Sequence, residues 1–146
     1  MEIEATYLVP AGSPLKTVVD VDRAGVRISV SNKSAYELYL SRSIKNAELV
    51  RIDGVQASFD KFVADKLEAL AGLRPRLATD VEALPGSRIL DGRFTAIQQA
   101  IGTPKGRSPE GAAYLRAFVE EVKASGLVAR LIESNAVRGL NVAAAA

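Results

Sequence analysis

The 146 residues include no cysteine and no histidine. That removes thiol nucleophiles, disulfides, zinc sites of the usual kind and histidine-based triads from consideration. A chain without cysteine suits an exported protein lacking disulfides as well as a cytosolic one, so the absence does not locate it. Charge of one sign is also scarce: the net charge is only +2, despite a pI near 9.0. Aromatic residues make up 5% of the chain, and none interleave with a basic run to stack on bases, so nucleic acid is not an expected partner. No apolar run approaches the roughly 20 residues needed to cross a bilayer. The opening Met1-Glu2-Ile3-Glu4 is acidic and lacks the apolar core and small-residue cleavage site of a signal peptide.

What is present is ordinary for a folded domain: 48% hydrophobic and 25% charged residues, in a chain long enough to bury a core. The informative stretch is VRISVSNKSAYELYL, Val26 to Leu40. An apolar run stops at Ser31-Asn32-Lys33-Ser34, and the period then changes from two to about four. This predicts a strand, a tight polar loop and a helix start, an arrangement that often holds an anion. Ser34 and Glu37 have the spacing of a capping box, with Ala35, Leu38, Leu40 and Ile44 as the buried stripe of the helix.

Strands are also predicted at Thr6–Val9, Glu48–Ile52, Leu67–Ala71, Arg88–Asp91 and Thr95–Ile101, and one helical turn at Val18–Asp22. Ser58 reads as the cap of a helix carrying Phe59, Phe62, Val63 and Leu67. Arg74–Leu84 reads as a helix closed by Pro85-Gly86. Ser108-Pro109 starts a helix whose apolar face is Tyr114, Leu115, Phe118, Val119 and Val122, and Gly126 separates it from a last helix. Strands alternating with helices predict an α/β fold with a mostly parallel sheet and helices on both faces. From Gly139 to Ala146 a disordered tail is expected.

The order of segments resembles the second lobe and C-terminal portion of family 3 extracellular solute-binding proteins, the periplasmic receptors of ABC importers. YLVPAGSP (Tyr7–Pro14) is similar to that family's crossing strand and following loop. VDVDRAGVRISVSNKSAYELYL resembles its DL-x-G-K-x-V-x-V-x-x-G-[ST] segment, and FDKFVADKLEALAG the segment ending in D-A-x-x-x-D. IGTPKGRSPEGAAYLRAFVEEVKASGLVARLIES resembles its return strand and two closing helices. The resemblance implies one lobe of a periplasmic-binding-protein type II fold: a crossing strand at 1–10, a second-lobe α/β domain at 11–101, closing helices at 102–138 and a tail at 139–146. It also implies that a first lobe, which supplies an arginine and an aromatic wall, is missing. Apolar surface left exposed by that absence favours a homodimer.

The implied function is capture of a small polar or anionic solute, amino-acid-like or an organic acid, for an ABC-importer membrane permease. Neither catalysis nor a cofactor or metal is expected. The alternative is a homo-oligomeric structural or regulatory domain that kept the fold and lost the pocket. By resemblance, the N–H groups of Ser31, Asn32, Lys33 and Ser34 meet the ligand carboxylate, although Lys33 stands where the family has glycine. The competing reading makes Ser34 only a cap and Asn32 only a turn residue. Tyr36 flanks the loop. Gly72 falls where the family places the aspartate that pairs with a ligand ammonium, so a solute with a carboxylate and no amine fits better. Arg74 is expected to favour an anionic group or to be a solvated arginine at a helix start, and one of Gln98 and Gln99 to face the cleft. Thr103–Arg107 lacks the spacing of a phosphate loop.

Overall fold

Residues Ala5 to Val9 of the first strand are buried without a break, whereas Glu2 to Glu4 are half-buried. A strand buried on both faces must lie inside a sheet, and this one, β1 (Glu2–Val9), does. The computed structural model describes all 146 residues as one seven-stranded sheet ordered β3-β2-β4-β1-β5, with β6 and β7 also pairing along β1. The elements are β1, a 3-10 turn at Val18–Val21, β2 (Arg27–Ser31), α1 (Ala35–Ser43), β3 (Glu48–Ile52), α2 (Val55–Ala64) and β4 (Ala69–Leu73). They continue as α3 (Arg74–Ala83), β5 (Arg88–Ile89), β6 (Thr95–Gln98), α4 (Pro109–Ala124), α5 (Leu127–Ser134) and β7 (Leu140–Asn141).

The pairings of β2 with β3 and with β4 are parallel and form the heart of the sheet. All the antiparallel pairings belong to β1. The fold is thus α/β with a parallel centre, as the alternation of elements predicts. Side-chain alternation splits the core in two. On one face Ala5, Tyr7 and Val9 of β1 join Ile28 and Val30 of β2, Ala69 and Ala71 of β4, and Tyr36 and Leu40 of α1. On the other, Leu8 and Leu70 meet Phe62 of α2 and Leu77 of α3. Helices therefore cover both faces.

Several sequence expectations are corrected. β1 begins four residues before Thr6, because β6 and β7 give Glu2 to Ala5 antiparallel partners. The expected free tail contains β7, which pairs with Glu2 and Ile3. Ser58 does not cap α2. The helix starts at Val55 after Gly54, and the Ser58 hydroxyl donates to the Gly54 carbonyl at 2.8 Å while the Ser58 carbonyl accepts from the Ser29 hydroxyl at 2.7 Å. The α1 stripe is Tyr36, Leu40 and the half-buried Ile44, an i, i+4, i+8 row, whereas Ala35 and Leu38 face out. Tyr36 packs in the core cluster with β1, β2 and β4, and Leu38, two positions on, turns away from it. No helix is long and apolar enough to cross a membrane.

Candidate functional site

The chain leaves β2 through α1 toward one face of the sheet and leaves β4 through α3 toward the other. Between adjacent parallel strands whose onward connections diverge, the C-terminal ends of the strands flank an open crevice, the usual place for ligands in such sheets. Here that crevice is narrow, with a volume of about 10 Å³, and is lined by Tyr36 of α1, Val55 and Ser58 of α2, Gly72 of β4, and Arg76 and Asp80 of α3. The N-termini of α1, α2 and α3, which follow β2, β3 and β4 directly, share this edge of the sheet.

Asn32 to Ser34 form the loop between β2 and α1, and Ser31, expected in the loop, is the last residue of β2. Ser34 is the N-cap: its hydroxyl accepts from the Glu37 N–H at 3.1 Å. The return half of the box is not made, because the Glu37 carboxylate accepts instead from the Ser41 hydroxyl at 2.6 Å and from Arg51 Nε at 2.8 Å. The Ser41 and Arg51 bonds hold this nearly buried carboxyl below its usual value, with the Lys33 N–H adding to the effect. Two loop N–H groups are already occupied. Asn32 donates to the Ile52 carbonyl at 2.8 Å and Ser34 to that of Ser31 at 3.3 Å. The N–H groups of Ala35 and Tyr36 make no hydrogen bond within the chain, as expected for a first helical turn. Asn32 also donates through Nδ2 to Asp53 at 2.8 Å, which ties the loops after β2 and β3 together. Lys33 has φ of 58°, the left-handed region that favours glycine, so the lysine occupies a glycine-like backbone position at some strain. Its side chain is exposed.

Tyr36 is 5% exposed, and burial raises its pKa while the Ser34 and Ser31 side chains oppose the rise. Gly72 is in the crevice, and its missing side chain has a local cause. A Cβ there would lie 2.9 Å from Leu77 Cδ2 and 3.2 Å from Leu77 Cγ. Leu77 of the second core cluster thus fills the space an aspartate at 72 would need.

Arg74 does not face the crevice. Its Nε donates to Glu4 at 2.6 Å and its Nη2 to the Gly92 carbonyl at 2.6 Å. Its side chain packs under Gly139, where a Cβ would come within 2.6 Å of Arg74 Cβ. It is a structural tie between β1, the loop before β6 and the segment leading to β7. Gln98 is likewise removed from the loop. It is exposed, sits opposite Glu2 at the outer end of β1 and donates to that carboxylate at 3.0 Å. Its neighbour Gln99 donates its backbone N–H to the Met1 carbonyl at 2.8 Å. The structure therefore brings together Ser31 to Ser34, Tyr36 and Gly72, and separates Arg74 and Gln98 from them.

Sequence reading missed the pair Arg76 and Asp80. Arg76 Nε donates to Asp80 Oδ1 at 2.8 Å, and Arg76 Nη2 to Gln56 Oε1 at 2.7 Å. Asp80 is 4% exposed; burial raises its pKa and Arg76 opposes the rise. The available signal was the i, i+4 spacing of opposite charges on a predicted helix. No group of acidic residues is arranged to hold a metal ion. A wider groove between α5 and β7 is lined by Ala129, Ile132, Val137 and Leu140. It is open and mostly apolar and lies away from the strand ends, so the crevice is the better candidate.

No protein-family model matches the chain, and no curated protein matches it. Solved structures do. A binding component of an ABC transporter from Wolinella succinogenes, complexed with lysine, is 21% identical with a TM-score of 0.74, over 92% of this chain and 59% of that one. An ancestral arginine-binding protein bound to glutamine is 20% identical with a TM-score of 0.70, over 96% and 61%. An ancestral amino acid-binding protein, a precursor of cyclohexadienyl dehydratase, is 18% identical with a TM-score of 0.70, over 92% and 57%. The chain thus spans about three-fifths of the length of these proteins. The likeness shows the fold: part of a periplasmic-binding-protein type II architecture, the one the sequence resembles, shared with solute-binding proteins of the family 3 kind.

Proposed function

We propose that this chain is a solute-binding lobe that captures a small polar or anionic solute without catalysis and works with the membrane permease of an ABC importer, in a periplasmic setting. The observation that carries this reading is the crevice between the ends of β2 and β4, with the Ala35 and Tyr36 N–H groups unpaired at the start of α1 beside it. That edge favours an anion through its N–H groups and the helix dipole, by about 0.3–1 kcal/mol or more. The fold is shared with proteins bound to glutamine and to lysine, solutes that each carry a carboxylate. The buried carboxylates Glu37 and Asp80 are both held by arginines. The loop Ser31–Ser34, Tyr36 and Gly72 are the proposed contacts, and Arg74 and Gln98 act in the scaffold.

The second reading, a homo-oligomeric structural domain, is favoured by a different observation. Neither α4 nor α5 contributes a buried residue, and Tyr114 and Phe118 are 74% and 45% exposed. Thermal melting with and without excess amino acids or organic acids separates the two. Ligand at 100 times its dissociation constant adds about 2.7 kcal/mol of stability, so a binding lobe melts several degrees higher. A melting point unmoved by any solute, but rising with protein concentration, marks the structural domain.

A further inference from the structure

The polarity of the crevice identifies the chemistry of the solute, an inference that rests on the binding-lobe reading. An ammonium group needs a free counter-charge when buried. Position 72 offers none, and Leu77 closes the space in which one would stand. The one carboxylate lining the crevice, Asp80, is already bonded to Arg76. The cation is different. A guanidinium has five N–H donors in a fixed fork. Two of those of Arg76 are spent, on Asp80 and Gln56, which leaves three without a partner in the chain. These two bonds hold the fork in place, and the side chain remains 34% exposed. Arg74, by contrast, is fastened to Glu4 and Gly92 outside the crevice.

We propose that Arg76 is the specificity-determining contact of this lobe, taking a carboxylate of the solute, and that the solute is an organic acid without an ammonium group, with a second carboxylate directed at the start of α1. The exposed Lys33 at the rim adds to the same preference, while Asp53, the nearest acid on the loop after β3, is bonded to Asn32.

The test compares succinate with glycine and glutamine as probes, following backbone amide shifts of the full chain. Succinate is expected to shift Tyr36 and Gly72, and both amino acids to leave them in place at equal concentration. Arg76→Gln is expected to weaken succinate binding tenfold or more, with part of the affinity restored in Arg76→Lys. Because Arg76→Gln leaves Asp80 buried and alone, the double variant Arg76→Gln/Asp80→Asn provides the same loss of charge in a neutral crevice. Glycine or glutamine binding at the loop as well as succinate does would overturn the inference while leaving the binding-lobe reading intact. Succinate affinity unchanged in the double variant would overturn it too. Silence toward all three probes at millimolar concentration would overturn this inference and leave the lobe reading to other solutes.

Discussion

The first 98 residues and the C-terminal hairpin of α4 and α5 are held by different means. All the buried residues lie between Ala5 and Leu90. The hairpin packs mainly helix against helix, with Leu115, Val119 and Val122 only half-buried. It stays on the body through β7 on β1 and the Glu4 N–H to the Gly139 carbonyl at 3.2 Å, while Lys123 Nζ holds the last residues by donating to the Ala144 carbonyl at 2.7 Å. The body is stabilised by apolar burial; the hairpin depends on a short strand and a few polar ties. The candidate crevice belongs wholly to the body, so it and the exposed apolar surface are separate features of this chain.

The widest contrast is expected from two phenylalanines. Phe62 is 2% exposed in the core between α2 and the sheet. Phe62→Ala should cost about 3–5 kcal/mol in urea denaturation. Phe118→Ala, on the hairpin surface, should stay within about 0.5 kcal/mol. Equal losses would erase the distinction between the two regions.

Gly72→Asp comes next, at about 2–3 kcal/mol, because Leu77 must move to admit the new side chain. A variant as stable as the parent would mean that the crevice is looser than the Leu77 contact implies.

Arg51→Ala removes one of the two partners that hold the nearly buried Glu37 carboxylate. The expected loss near neutral pH is about 1–2 kcal/mol. The sign with pH follows from the lowered pKa of Glu37. Its folded form releases the proton more readily than the unfolded chain, whose reference value is 4.5, so its stabilisation is present above that value. It disappears as the pH falls through the lower folded value, and the gap between parent and Arg51→Ala should close in acid. A gap that widens in acid would contradict the assignment.

The smallest effects are at the loop. Ser34→Ala should lose about 1 kcal/mol as the cap of α1 goes. Lys33→Gly should gain about 0.5 kcal/mol by relieving the left-handed backbone. Melting curves of both variants check these values, and a loss in Lys33→Gly would indicate that the lysine side chain makes a stabilising contact.

Local order was legible in the sequence and long-range pairing was not. Glu48–Ile52, the Ser34 and Ser108 caps and the helix from Arg74 follow from period and capping residues within a few positions. The loop of Ser31 to Ser34 was found in the same way, from a change of period. Arg74 was read as a free cation because its partner Glu4 is 70 positions away, beyond any periodic signal. β7 was missed for the same reason: its partners Glu2 and Ile3 lie at the other end of the chain. The resemblance puts an aspartate where Gly72 stands, but the side chain that fills its space, Leu77, depends on how α3 settles on β4. The burial of Asp80 has that origin too, since spacing alone shows an i, i+4 pair and not which side of the helix turns inward.

The most direct test of the binding-lobe account is an amide titration of the whole chain by NMR, with pooled amino acids, dicarboxylates and aromatic acids up to millimolar levels, because a lone lobe binds weakly. The account predicts saturable shifts that cluster at Asn32 to Tyr36 and around Gly72. Shifts confined to α4, α5 and β7, or none at these positions with any pool, would contradict it.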